Sequence, residues 1–230
     1  RDGLVTGVQT CALPIYYTRS KYPEDISQWE EISYIDLGPR LCYTNPILLS
    51  SENDRIYVFM RGGHDWKPTF IYSDDLGESW SDPQTFVAHP GASDRNRPYA
   101  KIVSDGKSKI WFAITDGHPN VEPLNSIYIF YYEDSHFYQV DGTLIAHIKD
   151  SPIDQGIIRK AYDGSQTMVR SWIWDLALND NRYPRMVYTR LKEKTCHQYY
   201  YAFWNGSSWE HSFISPAGHN FPPREVESHY

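Results

Sequence analysis

The chain is poor in sulfur, poor in basic charge and without long apolar runs. Only 3 of its 230 residues are Cys, and only 3 are Met. So few cysteines give no disulfide framework to hold a small domain. No apolar run approaches the roughly 18 residues of a membrane span, so no membrane partner is expected. Lys and Arg number 22 against 29 Asp and Glu, a formal charge of −7. That excess excludes the broad basic face that nucleic acid would need. Aromatics are what the chain has in plenty: 19 Tyr, 9 Phe and 8 Trp, or 16 %. With 14 Gly and 15 Pro, they favour many short strands and turns over long helices. Rings can fill a β core, and they can also cover the apolar C–H face of a sugar.

Residues 5–15 read VTGVQTCALPI. This stretch resembles a translated sequencing-library adapter and is set aside from fold reasoning. The natural chain is then expected to start near Tyr16, and residues 16–230 to form one partial domain of a metagenomic fragment. Setting Cys11 aside leaves Cys42 and Cys196, expected as buried thiols.

Short apolar runs at 44–50, 55–61, 68–73 and 83–88 read as four strands separated by turn residues. The scheme recurs at 99–104, 109–115, 126–132 and 136–146, and again at 171–178, 185–190, 197–204 and 209–214. Asn205-Gly206 supplies a tight turn in the third set, and residues 148–167 read as an insertion. Repeated four-strand units predict an all-β chain, a β-propeller of four-stranded antiparallel blades. A β-sandwich of the same strands is the alternative.

Ser73-Asp74-Asp75-Leu76-Gly77-Glu78-Ser79-Trp80 matches the Asp box, Ser-x-Asp-x-Gly-x-x-Trp, of sialidase-type propellers. Its expected role is structural: the carboxylate holds a turn, Gly permits it, and Trp packs into the blade. Further marks are Arg61-Gly62-Gly63-His64-Asp65-Trp66-Lys67-Pro68, Arg97-Pro98-Tyr99-Ala100-Lys101, Thr115-Asp116-Gly117-His118-Pro119 and Asn125-Ser126-Ile127-Tyr128. With His197-Gln198-Tyr199-Tyr200-Tyr201-Ala202 and Ala217-Gly218-His219, the chain resembles the BNR-repeat family that includes propeller ulvan lyases. That resemblance implies an incomplete propeller, about three to four blades of roughly seven. Where many relatives carry Arg after Ala-Gly, this chain has His219-Asn220.

In a propeller, the loops joining second and third strands share a face with the crossovers between blades. That face here collects Arg61, His64, Trp66, Lys67, Arg97, His118, Asn125, Tyr188, Arg190, His197 and His219. So many cations on an acidic chain suggest a pocket for an anion, a uronic-acid polysaccharide, sulfated or not. β-Elimination of such a polymer needs a base at C5, an acid at the departing O4 and a group that neutralises the carboxylate. The resemblance assigns the base to His118, the acid to Tyr188 or Tyr199, and the neutraliser to Arg97. Arg61, His64, Trp66, Lys67, Asn125, Arg190, His197 and His219 are expected to bind substrate. Cys196, His197 and His219 offer metal ligands but no Cys-x-x-Cys or His-x-x-x-His spacing, so a structural ion is only an alternative to no cofactor. A sialidase-like glycoside hydrolase and a non-catalytic glycan-binding propeller are the competing functions. A polymeric substrate implies a secreted or periplasmic protein, expected here as a monomer.

Overall fold

Near-continuous apolar runs let the central strands, such as 55–62, 109–115 and 127–133, bury side chains on both faces. The computed structural model describes residues 14–38, 41–62, 66–89, 96–193 and 196–218. His64 and His219 therefore lie outside the described residues, as does most of the adapter-like stretch. Two short ribbons come first. Strand β1 (Ile15–Tyr17) pairs with β4 (Ser33–Ile35), and β2 (Ser20–Tyr22) pairs with β3 (Asp25–Trp29). The first large sheet has the order β5 (Cys42–Leu49), β6 (Arg55–Gly62), β7 (Lys67–Ser73), β8 (Gln84–Thr85), followed in sequence by β9 (Val87–Ala88). The second contains β10 (Ala100–Ser104), β11 (Lys109–Thr115), β12 (Ile127–Glu133), β13 (His136–Gln139) and β14 (Leu144–His147). Strand β15 (Ile153–Asp154) and β16 (Lys160–Tyr162) lie in the expected insertion. The third large sheet is β17 (Ser171–Leu178), β18 (Pro184–Glu193), β19 (Cys196–Trp204) and β20 (Trp209–Gly218).

Pairing within the three large sheets is antiparallel throughout. Each sheet meets its neighbour through a separate core. Val58, Met60 and Ile71 turn from the first sheet towards Ile15, Ile35 and Leu41. Tyr57, Phe59 and Phe70 turn the other way, onto Ile110, Phe112, Ile114 and Phe130. On the far side of the second sheet, Trp111, Ala113, Ile127 and Ile129 meet Ile173, Met186, Tyr188 and Ala202. Phe112 is fully buried, with its ring 5.0 Å from Phe59 and 4.9 Å from Phe130. Removing such a ring costs about 3–5 kcal/mol. A two-sheet sandwich would have one core; three sheets in series have a core on each side of the middle one.

Of the two thiols expected to be buried, Cys42 is buried but Cys196, at the start of β19, is exposed. Residues 136–146 do not form one strand, because Gly142, at φ +88°, turns the chain between β13 and β14. The segment 148–167, expected as an insertion, carries strand pairings of its own. Strand β15 runs parallel to β9, and β16 extends the edge of β12 that β13 leaves open. No helix among the described residues is long and apolar enough to cross a membrane.

The Asp box performs the structural role read from its sequence. Asp75 accepts from Ser79 N at 2.9 Å, Ser79 Oγ at 2.5 Å and Ser73 Oγ at 2.7 Å. These bonds, the Ser79 hydroxyl first, hold its carboxyl down to about 2. Gly77 takes φ +92°, a backbone region costly for any residue with a Cβ. Trp80 packs edge-on against Tyr17, whose hydroxyl donates to Gly77 O at 2.7 Å.

Candidate functional site

The first strands of the three large sheets start at one end of the molecule. There Tyr43, Tyr99 and Trp172 form a ribbon of rings, with centroids 5.6 Å apart for Tyr43–Tyr99 and 4.8 Å for Tyr99–Trp172. His118 joins it from the loop between β11 and β12, 6.0 Å from Tyr99 and 5.4 Å from Trp172. Arg61, at the end of β6, brings its guanidinium carbon to 4.0 Å from the Tyr99 ring centre and 5.2 Å from that of Trp66. Tyr99 is thus the hub.

Arg61 is the unusual member. It is only 8 % exposed. Its Nε donates to Trp66 O at 3.3 Å, and its other partners among the described residues are the Tyr99 and Trp66 rings, not a carboxylate. Ring faces lower the cost of burying its charge but do not accept its in-plane N–H groups. A buried guanidinium held this way is a ready partner for an anion.

Backbone ties fix the surrounding loops. Asn125 is fully buried: its Oδ1 accepts from Gly117 N at 3.1 Å and its Nδ2 donates to Ser171 O at 2.8 Å. It joins the second sheet to the third and is a strut rather than the expected substrate ligand. Asp116 accepts from Ser126 N and Tyr128 OH, each at 2.7 Å. Lys67, also buried, donates to Asn96 O, and Asn96 Nδ2 donates to Asp116 O at 3.0 Å. The ammonium of Lys67 therefore anchors the segment leading through the partly buried Arg97 to Tyr99. Glu122 lies on the His118 loop, its carboxyl pushed up by burial and by Asp116.

His118 Nδ1 accepts the Asn120 N–H at 3.1 Å. The neutral ring then carries its proton on Nε2, which makes that nitrogen a donor.

A second group lies deeper. Tyr188 is fully buried, and its hydroxyl receives Arg190 Nε at 3.1 Å and Nη2 at 2.8 Å and meets His211 Nδ1 at 2.9 Å. Burial first, then Arg190, lowers the His211 pKa below its ordinary 6.5. Burial raises that of Tyr188. Tyr188 therefore belongs to the packing between second and third sheets, and a role as acid to a substrate at His118 is not what its position offers. Tyr199 lies on the opposite face of the third sheet, 6.4 Å from the Trp174 ring. The contacts of Tyr188 and Arg190 run to each other, to His211 and to the Tyr162 and Tyr200 rings. His197 is buried, opposite Leu191 and Gly218.

Of the expected residues, Arg61, Trp66 and His118 come together; Lys67 and Asn125 support them; Tyr188 and Arg190 face the packing between second and third sheets; Tyr199 shares the face of Trp172, two strands away in the third sheet. Tyr43, Tyr99 and Trp172 belong to the site without a motif in the sequence to mark them. Their only sequence signal is positional, since each stands where the first strand of a repeat begins. Among the described residues no group of three or more His, Cys, Asp or Glu could hold a metal ion.

The profile of the BNR repeat-containing family matches residues 8–217, and the chain belongs to that family. No curated protein matches the chain.

Proposed function

We propose that the chain forms part of a β-propeller that takes an acidic glycan on the ribbon of rings and breaks it by β-elimination. Three repeated sheets with a core on each side of the middle one, and the family match, support the propeller. One observation carries the substrate class: the buried Arg61 guanidinium, without a carboxylate partner among the described residues, lies against Tyr99 at the centre of the ribbon. Rings take the C–H faces of sugars, and Arg61 takes a uronate carboxylate by paired hydrogen bonds.

In this reading Arg61, rather than Arg97, neutralises the carboxylate and so acidifies the proton at C5. His118 removes that proton, the C4–O4 bond breaks, a C4=C5 double bond forms, and the departing oxygen takes a proton from Tyr99. The base needs a bare nitrogen, so Asn120 must release Nδ1, or the ring must react as its other tautomer. That requirement favours a second reading, in which the face binds acidic glycan without cleaving it and Nε2–H is a hydrogen-bond donor to the sugar.

The test is incubation of the purified protein with uronic-acid polysaccharides. Ultraviolet absorbance of the unsaturated uronate marks elimination, and its loss in His118→Ala supports the assigned base. New reducing ends without that absorbance would replace the reading with hydrolysis. Binding with neither product would leave the second reading standing.

A further inference from the structure

We infer that the cleft between the second and third sheets is a separate site for an oxyanion group carried on a sugar-sized molecule. The cleft has a volume of about 570 Å³ and is lined by Lys160, Tyr162, Gln166, Thr167, Arg190 and His211, among others. That volume is far larger than a bare ion needs and falls in the range of small-molecule sites.

Arg190 carries the inference. Its guanidinium carbon lies 3.9 Å from the Tyr200 ring centre and 5.0 Å from that of Tyr162. The rings cover the faces of the guanidinium and leave its in-plane N–H groups at the edge. A guanidinium has five such donors. Nε and one on Nη2 serve Tyr188, which leaves three without an acceptor among the described residues.

The other charges in the cleft are already matched. Lys160 Nζ lies 2.9 Å from Asp163 Oδ1, and Arg159 pairs with Asp141. Asp163 also accepts from Ser165 N and Ser165 Oγ. Arg190 is left as the excess positive charge. Its support is rigid: the Tyr188 hydroxyl hydrogen-bonds His211 Nδ1 at 2.9 Å, and His211 holds a backbone bond to Ala161. A fixed fork with three edge donors suits the three terminal oxygens of a sulfate ester.

The experiment is calorimetric titration of the whole chain carrying Arg61→Gln, so that heat does not come from the ribbon of rings. The probes are galactose 6-sulfate, galactose and inorganic sulfate at matched ionic strength. Galactose 6-sulfate should bind saturably and more tightly than inorganic sulfate, and galactose should not bind. Adding Arg190→Gln should weaken binding about ten- to a hundredfold. Absence of saturable binding, equal binding of galactose, or unchanged affinity in Arg190→Gln would overturn the site. Sulfate binding as tightly as the sugar sulfate would overturn the sugar-borne assignment. If Arg190→Gln does not fold by circular dichroism, Arg190→Lys, which keeps the charge and removes the planar fork, is titrated instead. A several-fold loss is expected there, and parental affinity overturns the proposal.

Discussion

Two groups in this protein are built from the same three residue types and behave differently. Arg61, Tyr99 and His118 meet through ring faces at the end of the sheets. Arg190, Tyr188 and His211 meet through hydrogen bonds between two sheets. Stacking leaves the polar edges of the first group open to a ligand. Hydrogen bonding spends the polar atoms of the second on one another, apart from the outer edge of Arg190. Chemistry-bearing residue types therefore do not define a site; which of their atoms the fold has already used does.

That contrast can be broken by substitution. The largest effect is expected from Arg61→Gln, which should weaken uronate oligosaccharide binding by about a hundredfold while the melting curve moves little. Tyr188→Phe should do the reverse. It removes the bridge between Arg190 and His211 and should cost about 1–3 kcal/mol in denaturant unfolding, with uronate affinity unchanged. Trp172→Ala removes one ring of the ribbon and should weaken binding about two- to tenfold.

Acidity separates the two groups further. The His211 pKa is lowered in the fold, so the unfolded chain binds the extra proton first. Stability should fall as pH drops below 6.5, the ordinary value, until the folded group titrates. His211→Gln should flatten that slope, which circular dichroism melts across the range would show. Asp75 and Asp163 act lower. Each is held down to about 2, so each adds stability above the ordinary 3.8 that is lost as pH falls towards 2. The smallest effect is expected from Asp75→Asn: a lower melting temperature, with glycan affinity unchanged, because the Asp box lies at the opposite end of the sheets from the ribbon.

Much of the fold was legible because period-two patterning and turn chemistry are local. Phe112 and Trp111 face opposite cores simply by being adjacent on a strand. Asp75 and Gly77 act within one turn, so their motif carried its own geometry. What was not legible depends on contacts between sheets. Tyr188 and Tyr199 look equivalent in sequence, yet the register Tyr188↔Tyr200 and Thr189↔Tyr199 places them on opposite faces. Asn125 and Lys67 look like ligands, yet their polar groups hold Ser171 and Asn96. The segment 148–167 reads as insertion because the partners of β15 and β16 lie far away, at Val87 and at Ile127 and Tyr128.

The most direct test of the account is a paired titration of the protein with an acidic and a neutral oligosaccharide of equal length, repeated in Arg61→Gln. The account predicts saturable binding of the uronate only, abolished or strongly weakened by the substitution. Equal affinity for both sugars, or a uronate affinity indifferent to Arg61, would contradict it.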